Sequence, residues 1–489
     1  MSIEIRDVSF NYQFDPEEEI ASAHVTGVSD ITLNFPAGSC TLITGPSGSG
    51  KSTILKLLNG LIPTLYKGDL SGSTTLDGLD SATTDIQQLG RRAGTVFQNP
   101  RSQFFTANVL EELAFASENA GDDRLVTATR VADALAVWGI ETLMRRKLRE
   151  LSGGELQLVA CAAAVAGPQR ILLLDEPTSN LSPAAIGKFT SVLKSLKNDG
   201  WTLIIAEHRV YPLQEIADQV ALLHDGKVVQ LVRGAEFFAM SDDTRRTLGL
   251  RSLKRPHSST LSKPADDPDT GITVKNLRFS YGKHQVLDIA NLILPAGRVV
   301  ALTGPNGAGK TTLARTLIGL ANPQRGSEIL FSGTPCNAVA RQKRSVLVMQ
   351  DVNRQLFAET VAAEVSLGNE QIAVERVSEL LAGLGLAELA ERHPMTLSGG
   401  QKQRLVIANA LASEAQLYVF DEPTSGVDYL HLMSISAQIR SLAQAGKSVL
   451  VISHDLEFIN EVADHQLQLT PLADSTEQLS WLSDDLSQD

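Results

Sequence analysis

Two glycine-rich strings, GPSGSGKS at 45–52 and GPNGAGKT at 304–311, carry the residue types best suited to chemistry. Each has the pattern GxxxxGK[ST] between an apolar run and a helical one, and such a loop cradles phosphates. Gly45, Gly48 and Gly50, like Gly304, Gly307 and Gly309, let main-chain N–H groups approach an anion where side chains would clash, and the helix start adds a favourable dipole. Pro46, Ser47, Ser49 and Thr53 complete the first binding segment, and Pro305, Asn306, Ala308 and Thr312 the second. Lys51 and Lys310 should reach the terminal phosphates, while the hydroxyls of Ser52 and Thr311 should ligate Mg²⁺.

Carboxylates come next. The apolar runs before Asp175-Glu176 and Asp421-Glu422 read as strands that end in adjacent acids. Asp175 and Asp421 are expected to hold Mg²⁺ through water, and Glu176 and Glu422 to orient an attacking water as general base. His208 and His454 follow the next strand, at the same sheet edge as the phosphate, where each can donate to the terminal phosphate. Gln98 and Gln350 are expected to contact both Mg²⁺ and the nucleophile. Two LSGG strings place Ser152 and Ser398 as helix N-caps, with Gly153, Gly154, Gly399 and Gly400 leaving N–H groups open to an anion.

These pieces recur in one order, so the chain is a single unit written twice. LSGGELQ matches LSGGQKQ and LLLDEPTS matches YVFDEPTS; each serine of LSGG precedes its aspartate by 23 residues (152 to 175, 398 to 421). Copy one should span 1–245 and copy two 271–470, joined by an exposed linker at 246–270 and followed by a solvated acidic tail at 471–489. Short β-rich runs alternate with helical patterns, which predicts an α/β fold with a mainly parallel sheet and functional groups at the carboxyl ends of its strands.

Composition narrows the class. Of 489 residues, 43% are hydrophobic and 20% charged, enough for a sizeable core. Forty-three Lys plus Arg against 56 Asp plus Glu leave a net charge of −13, which argues against a general nucleic-acid binder. Cys40, Cys161 and Cys336 form no CxxC pair, in keeping with a reducing compartment. The N-terminus has no secretory pattern, and the longest apolar runs fall short of the ~18 residues that a membrane helix needs.

Taken together, glycine loop, glutamine, LSGG, DEPTS and histidine resemble the nucleotide-binding subunits of ABC transporters across both copies. The resemblance implies tandem P-loop NTPase domains with helical and antiparallel β subdomains, ATP and Mg²⁺ as ligands, and ATP hydrolysis as the reaction. It also implies intramolecular pairing, in which the LSGG segment of one copy covers ATP held by the other. Tyr12 and Tyr281 match the adenine-stacking aromatic, although a longer segment follows Tyr12 and Phe14 is an alternative to it.

A narrower resemblance rests on QNPRSQFFTANVLEELAF (98–115) and QDVNRQLFAETVAAEVSLG (350–368), which are similar to the paired ATPases of energy-coupling-factor importers of vitamins or metal ions. It implies a peripheral motor on the cytoplasmic face of the membrane. The partners would be a coupling transmembrane protein and a substrate-binding membrane protein, with no nucleic acid. Phe104, Phe105, Leu356 and Phe357 are candidate groove residues for the membrane partner. A tandem sugar-importer ATPase and a soluble twin ATPase acting on ribosomes are the competing readings. Ser182 and Leu158 depart from the pattern that Asp428 and Arg404 keep; the resemblance sends these elements toward the Lys310 site, which implies unequal sites, that one slower or more tolerant of ADP.

Overall fold

A computed structural model describes residues 3–13, 27–179, 181–257, 271–349, 352–367, 369, 371–472 and 478–482. The chain divides into two compact units, Met1–Arg255 and Pro256–Asp489. In the first, the apolar strands Cys40–Thr44 and Thr202–Ala206 are buried throughout, and Ile171–Asp175 is buried except at its terminal acid. Burial on both faces is what a parallel strand covered by helices requires.

Six strands form the main sheet of this unit, in the order Ala93–Val96, Ile171–Asp175, Thr202–Ala206, Cys40–Thr44, Gln219–His224 and Lys227–Arg233, with only the last pair antiparallel. Register decides the function. Ile43 and Asp175 both lie opposite Ala206, so the glycine loop, the acid pair and His208 leave the sheet at one edge. A four-stranded antiparallel sheet, Val28–Phe35, Ile3–Tyr12, Gly68–Leu76 and Leu79–Asp80, shares an apolar cluster with the helix Lys51–Leu58. Helices Val109–Asn119, Arg124–Trp138 and Gly153–Val165 form the helical part around the fully buried Trp138.

The second unit repeats this topology strand for strand. Its main sheet runs Ser345–Val348, Leu417–Asp421, Ser448–Ile452, Arg298–Thr303, His465–Leu469 and Leu479–Trp481, again with an antiparallel last pair. The antiparallel sheet is His284–Leu294, Ile272–Tyr281, Glu328–Phe331 and Thr334–Pro335. Helices Val361–Ser366, Val374–Gly383 and Gly399–Ala412 complete it. The expected α/β tandem architecture is therefore present in both halves.

Two segments differ from the sequence expectation. The stretch from 246 is packed up to Arg255: Leu250 and Leu253 are buried in the first unit's core, and Arg245 donates to the Leu250 carbonyl at 2.7 Å. Its polar composition concealed two core leucines. The expected acidic tail contains the edge strand Leu479–Trp481, which pairs with His465–Leu469. Before it, Gln478 is buried and accepts from the Asp288 N–H at 2.9 Å. Residues 258–270 of the expected linker and 473–477 and 483–489 of the tail lie outside the described residues.

Candidate functional site

The first glycine loop starts where the fully buried strand Cys40–Thr44 ends. Gly45 has φ 149°, and a Cβ there would lie 2.1 Å from the Leu223 carbonyl oxygen, so only glycine fits between loop and sheet. Gly50, with φ 96°, begins the helix Lys51–Leu58. Lys51 is buried and its Nζ donates to the carbonyls of Gly45 and Pro46 at 3.0 and 2.8 Å. The ammonium is thus folded into the loop's own concavity, where a phosphate would compete for it.

Ser52, one residue on, donates its hydroxyl to Asp175 Oδ1 at 3.0 Å. Glu176 follows in the left-handed region, with φ 47°, and its N–H donates to the Ala206 carbonyl at 2.8 Å. A non-glycine residue held there stores strain, and such strain concentrates at functional positions. The turn aims Glu176 at Gln98 and His208. Gln98 Nε2 donates to Glu176 Oε2 at 2.9 Å, and His208 Nε2 lies 3.5 Å from Oε1. Burial works to raise the pKa of Glu176, but His208, Lys51 and Gln98 outweigh it and hold the group below its ordinary value. Glu176 is consequently an ionised acceptor at neutral pH, the form that a general base requires.

The second unit builds the same edge. Lys310 Nζ donates to the Gly304 and Pro305 carbonyls at 2.7 and 3.0 Å, and burial depresses its pKa. Thr311 donates to Asp421 Oδ2 at 3.0 Å. Glu422 also has positive φ, 52°, and its N–H donates to the Ile452 carbonyl. Here the Ser453 hydroxyl donates to Glu422 Oε2 at 3.1 Å, and His454 Nε2 stands 3.9 Å from Oε1. Gln350 lies outside the described residues, as does Phe14.

Both LSGG serines are helix N-caps in full capping boxes, Ser152 with Glu155 and Ser398 with Gln401. The two expected aromatics differ. Tyr281 is 54% exposed and packs edge-on against Phe279, whereas Tyr12 is half-buried, bonds its hydroxyl to Thr53 Oγ1 at 3.2 Å and packs against Tyr66. The departures at Leu158 and Ser182 belong together. In the second unit Arg404 and Asp428 are both buried and interact electrostatically; in the first, both charges are absent, so neither is left without its counterpart. Ser182 still caps its helix through the Ala185 N–H, as Asp428 does through His431.

Two further residues belong to this edge. Gln403 Nε2 donates to the Glu422 carbonyl at 2.9 Å, and Glu207 braces the His208 loop. A comparison of the copies at 207 against 453 would have exposed the second, because the letters differ beside an identical histidine.

The donor set fits Mg²⁺. Each unit offers one hydroxyl and one carboxylate, hard oxygen donors already within hydrogen-bond distance of each other, with the phosphate cradle alongside. Burial, then the neighbouring Glu176 charge, push Asp175 up to about 7; burial raises Asp421 as well. A cation beside these groups would favour their ionised forms.

The raised pKa of Asp175 gives a stability prediction. With a folded pKa above the unfolded value, the group's contribution is complete below about pH 4 and lost as pH rises through about 7. In metal-free protein, Asp175→Asn should gain stability over wild type, and the gain should be roughly 2–3 kcal/mol larger at pH 8 than at pH 5. Urea unfolding of the first unit at the two pH values measures it. An equal gap at both would show that Asp175 ionises freely.

The ABC transporter family model matches residues 28–179 and 287–425. A Treponema denticola protein bearing the name ABC transporter ATP-binding protein is 38% identical over 477 residues, 96% of this chain and 95% of its own. A Methanosarcina acetivorans protein of the same name is 33% identical over 478 residues, 96% and 88% of the two chains. Among solved structures, RNase-L inhibitor aligns at TM-score 0.64 and 24% identity over 95% of this chain and 87% of its own, a likeness of fold. With the cradle, acid pair and histidine assembled in each half, the chain belongs to the ABC transporter family as a tandem ATP-binding protein, an ATPase with two P-loop domains.

Proposed function

We propose that this ATPase is the fused motor of a membrane importer of the energy-coupling-factor type, working at the cytoplasmic face against membrane-embedded partners. The observation that carries the reading is a matched pair of displayed phenylalanines. Phe105 and Phe357 stand at equivalent positions in the two copies and are 78% and 79% exposed. Exposure of a large aromatic on a braced loop favours a partner surface over core packing. Each loop is held by a buried glutamate: Glu112 Oε2 accepts from the N–H groups of Phe105 and Thr106 at 3.1 and 2.9 Å, and Glu364 Oε2 from those of Phe357 and Ala358 at 2.8 and 2.7 Å. Phe105 also stacks on Phe115 and borders a cavity of about 480 Å³ beside the Gln98 segment. Phe104 and Leu356 pack inward beside them, so of the four candidate groove residues Phe105 and Phe357 form the displayed pair. Among the described residues no helix is long and apolar enough to cross a membrane, so the pore belongs to other subunits in this reading.

At each site the lysine grips the terminal phosphates; the hydroxyl, and the aspartate through water, would hold Mg²⁺, which would neutralise charge on those phosphates. Glu176 or Glu422 accepts a proton from the attacking water as the bond between the β- and γ-phosphates breaks, releasing ADP and phosphate. His208 or His454 fixes the glutamate and the terminal phosphate. The LSGG helix start of one half covers the nucleotide bound to the other, pairing Lys51 with Ser398–Gly400 and Lys310 with Ser152–Gly154. ATP then closes the halves and hydrolysis opens them. Swinging that equilibrium from 1:99 to 99:1 takes about 5.5 kcal/mol, within reach of a few charge-assisted hydrogen bonds at each site.

The ribosome-acting alternative draws on solved structures whose 24% identity conveys fold alone, and nothing in the site favours it or the sugar importer. Phe105→Ala with Phe357→Ala should leave the ATP turnover of the isolated chain within about twofold of wild type, yet cut recovery of membrane subunits by about tenfold or more in detergent pull-downs. Undiminished recovery would remove the docking assignment. The missing Arg404 and Asp428 counterparts in the first copy motivate a second test. Glu176→Gln should cost more of the total ATP turnover than Glu422→Gln; equal losses would end the case for unequal sites.

A further inference from the structure

We propose that Glu207 is a positioning residue for hydrolysis at the first site, tying the main chain that carries His208 to the turn that carries Glu176. Glu207 immediately precedes His208 and is 3% exposed. Its Oε2 accepts from the N–H groups of His208 and Arg209 at 2.7 and 3.3 Å. Its Oε1 accepts from the Thr178 N–H at 3.0 Å and from the Thr178 hydroxyl. Thr178 lies two residues beyond Glu176 and is fully buried. One side chain therefore spans the two loops whose side chains must meet, and the contact it supports is the 3.5 Å approach of His208 Nε2 to Glu176 Oε1.

The second unit makes the same tie with other residues. Where Glu207 stands in the first copy, Ser453 stands in the second, and its hydroxyl donates directly to Glu422 Oε2 at 3.1 Å. The acid has moved to the far side of the histidine. Asp455 Oδ2 accepts from the Thr424 hydroxyl at 3.3 Å, and the Asp455 N–H donates to Ser453 Oγ at 3.1 Å. Thr424 is the counterpart of Thr178, and Arg209 holds the place of Asp455. A link from the threonine of the acid turn to the histidine loop is thus present in both units, built from Glu207 in one and from Ser453 with Asp455 in the other. Two chemically distinct routes to one geometry indicate that the geometry is what the site requires. A buried polar group bonded at both ends transmits small displacements, because neither end can rotate to find water.

Steady-state Mg·ATP turnover of the full-length protein tests the role. Glu207→Ala should remove most of the turnover that Glu176→Gln removes, while KM moves by less than roughly threefold, since ATP still meets an intact cradle. The double variant Glu207→Ser plus Arg209→Asp transplants the second unit's arrangement and should recover at least about a third of the turnover that Glu207→Ala loses. Glu207→Gln, with one carbonyl oxygen to serve two loops, should fall between. Thermal unfolding of each variant separates loss of fold from loss of turnover. Wild-type kcat in Glu207→Ala, or a folded double variant no faster than it, would overturn the assignment. Should either of those variants fail to fold, the Glu207→Gln kcat decides: a clear drop at unchanged KM supports the tie, and a wild-type value refutes it.

Discussion

One hydrogen bond sets the terms for each half of this molecule: the hydroxyl that opens the glycine-loop helix donates to the aspartate that ends a neighbouring strand. Ser52 to Asp175 and Thr311 to Asp421 are both 3.0 Å long. That bond forms only if two strands, separated by a third, terminate in register. Ile43 and Asp175 opposite Ala206, and Leu302 and Asp421 opposite Ile452, supply that register. A slip of either acid-bearing strand would draw Asp175 or Asp421 away from the hydroxyl that bonds it. The carboxyls at the strand ends bear the consequence. Burial raises the pKa of both aspartates, a stability cost that the proposed Mg²⁺ site would carry without its cation.

Around this fixed point the two copies keep positions while changing chemistry. Each glutamate sits in a left-handed turn, each histidine approaches it, and each lysine closes on its own loop carbonyls. The supports vary. Ser453, at the place of Glu207, bonds Glu422 directly, and one histidine loop is braced from before the histidine and the other from after it. Arg404 and Asp428 give way together to Leu158 and Ser182. Paired replacement of that kind protects a buried site from an uncompensated charge, and it marks where two equivalent frames are free to differ in rate.

Much of this was legible in the letters because the signals are local. A glycine loop between strand and helix, acids closing an apolar run and a serine three residues before Glu155 or Gln401 each specify their own geometry. The repeat then fixed their order. What escaped was decided by contacts distant in sequence. Leu250 and Leu253 are isolated in a polar stretch, and only the first unit's core makes them interior. Leu479–Trp481 is too short and too close to acids to read as a strand until His465–Leu469 offers it an edge. Tyr12 matches the adenine-stacking aromatic in the letters, yet Thr53, Tyr66 and Lys56 engage it. Glu207 stands out in the letters by differing from Ser453, but its role emerges only when Asp455 in the other copy is found making the same connection to the acid turn.

The proposed motor rests on a nucleotide shared between halves, gripped by one glycine loop and covered by the opposite LSGG turn. Cross-linking within one chain tests that directly, because the three native cysteines are buried and a Cβ added at Gly399 meets no neighbouring atom. Ser47→Cys with Gly399→Cys, in a Glu176→Gln plus Glu422→Gln background, should form an intramolecular disulfide rapidly with Mg·ATP and slowly without nucleotide. Equal rates in both conditions, or no bond in either, would contradict the shared nucleotide and leave two P-loop ATPases acting separately on one chain.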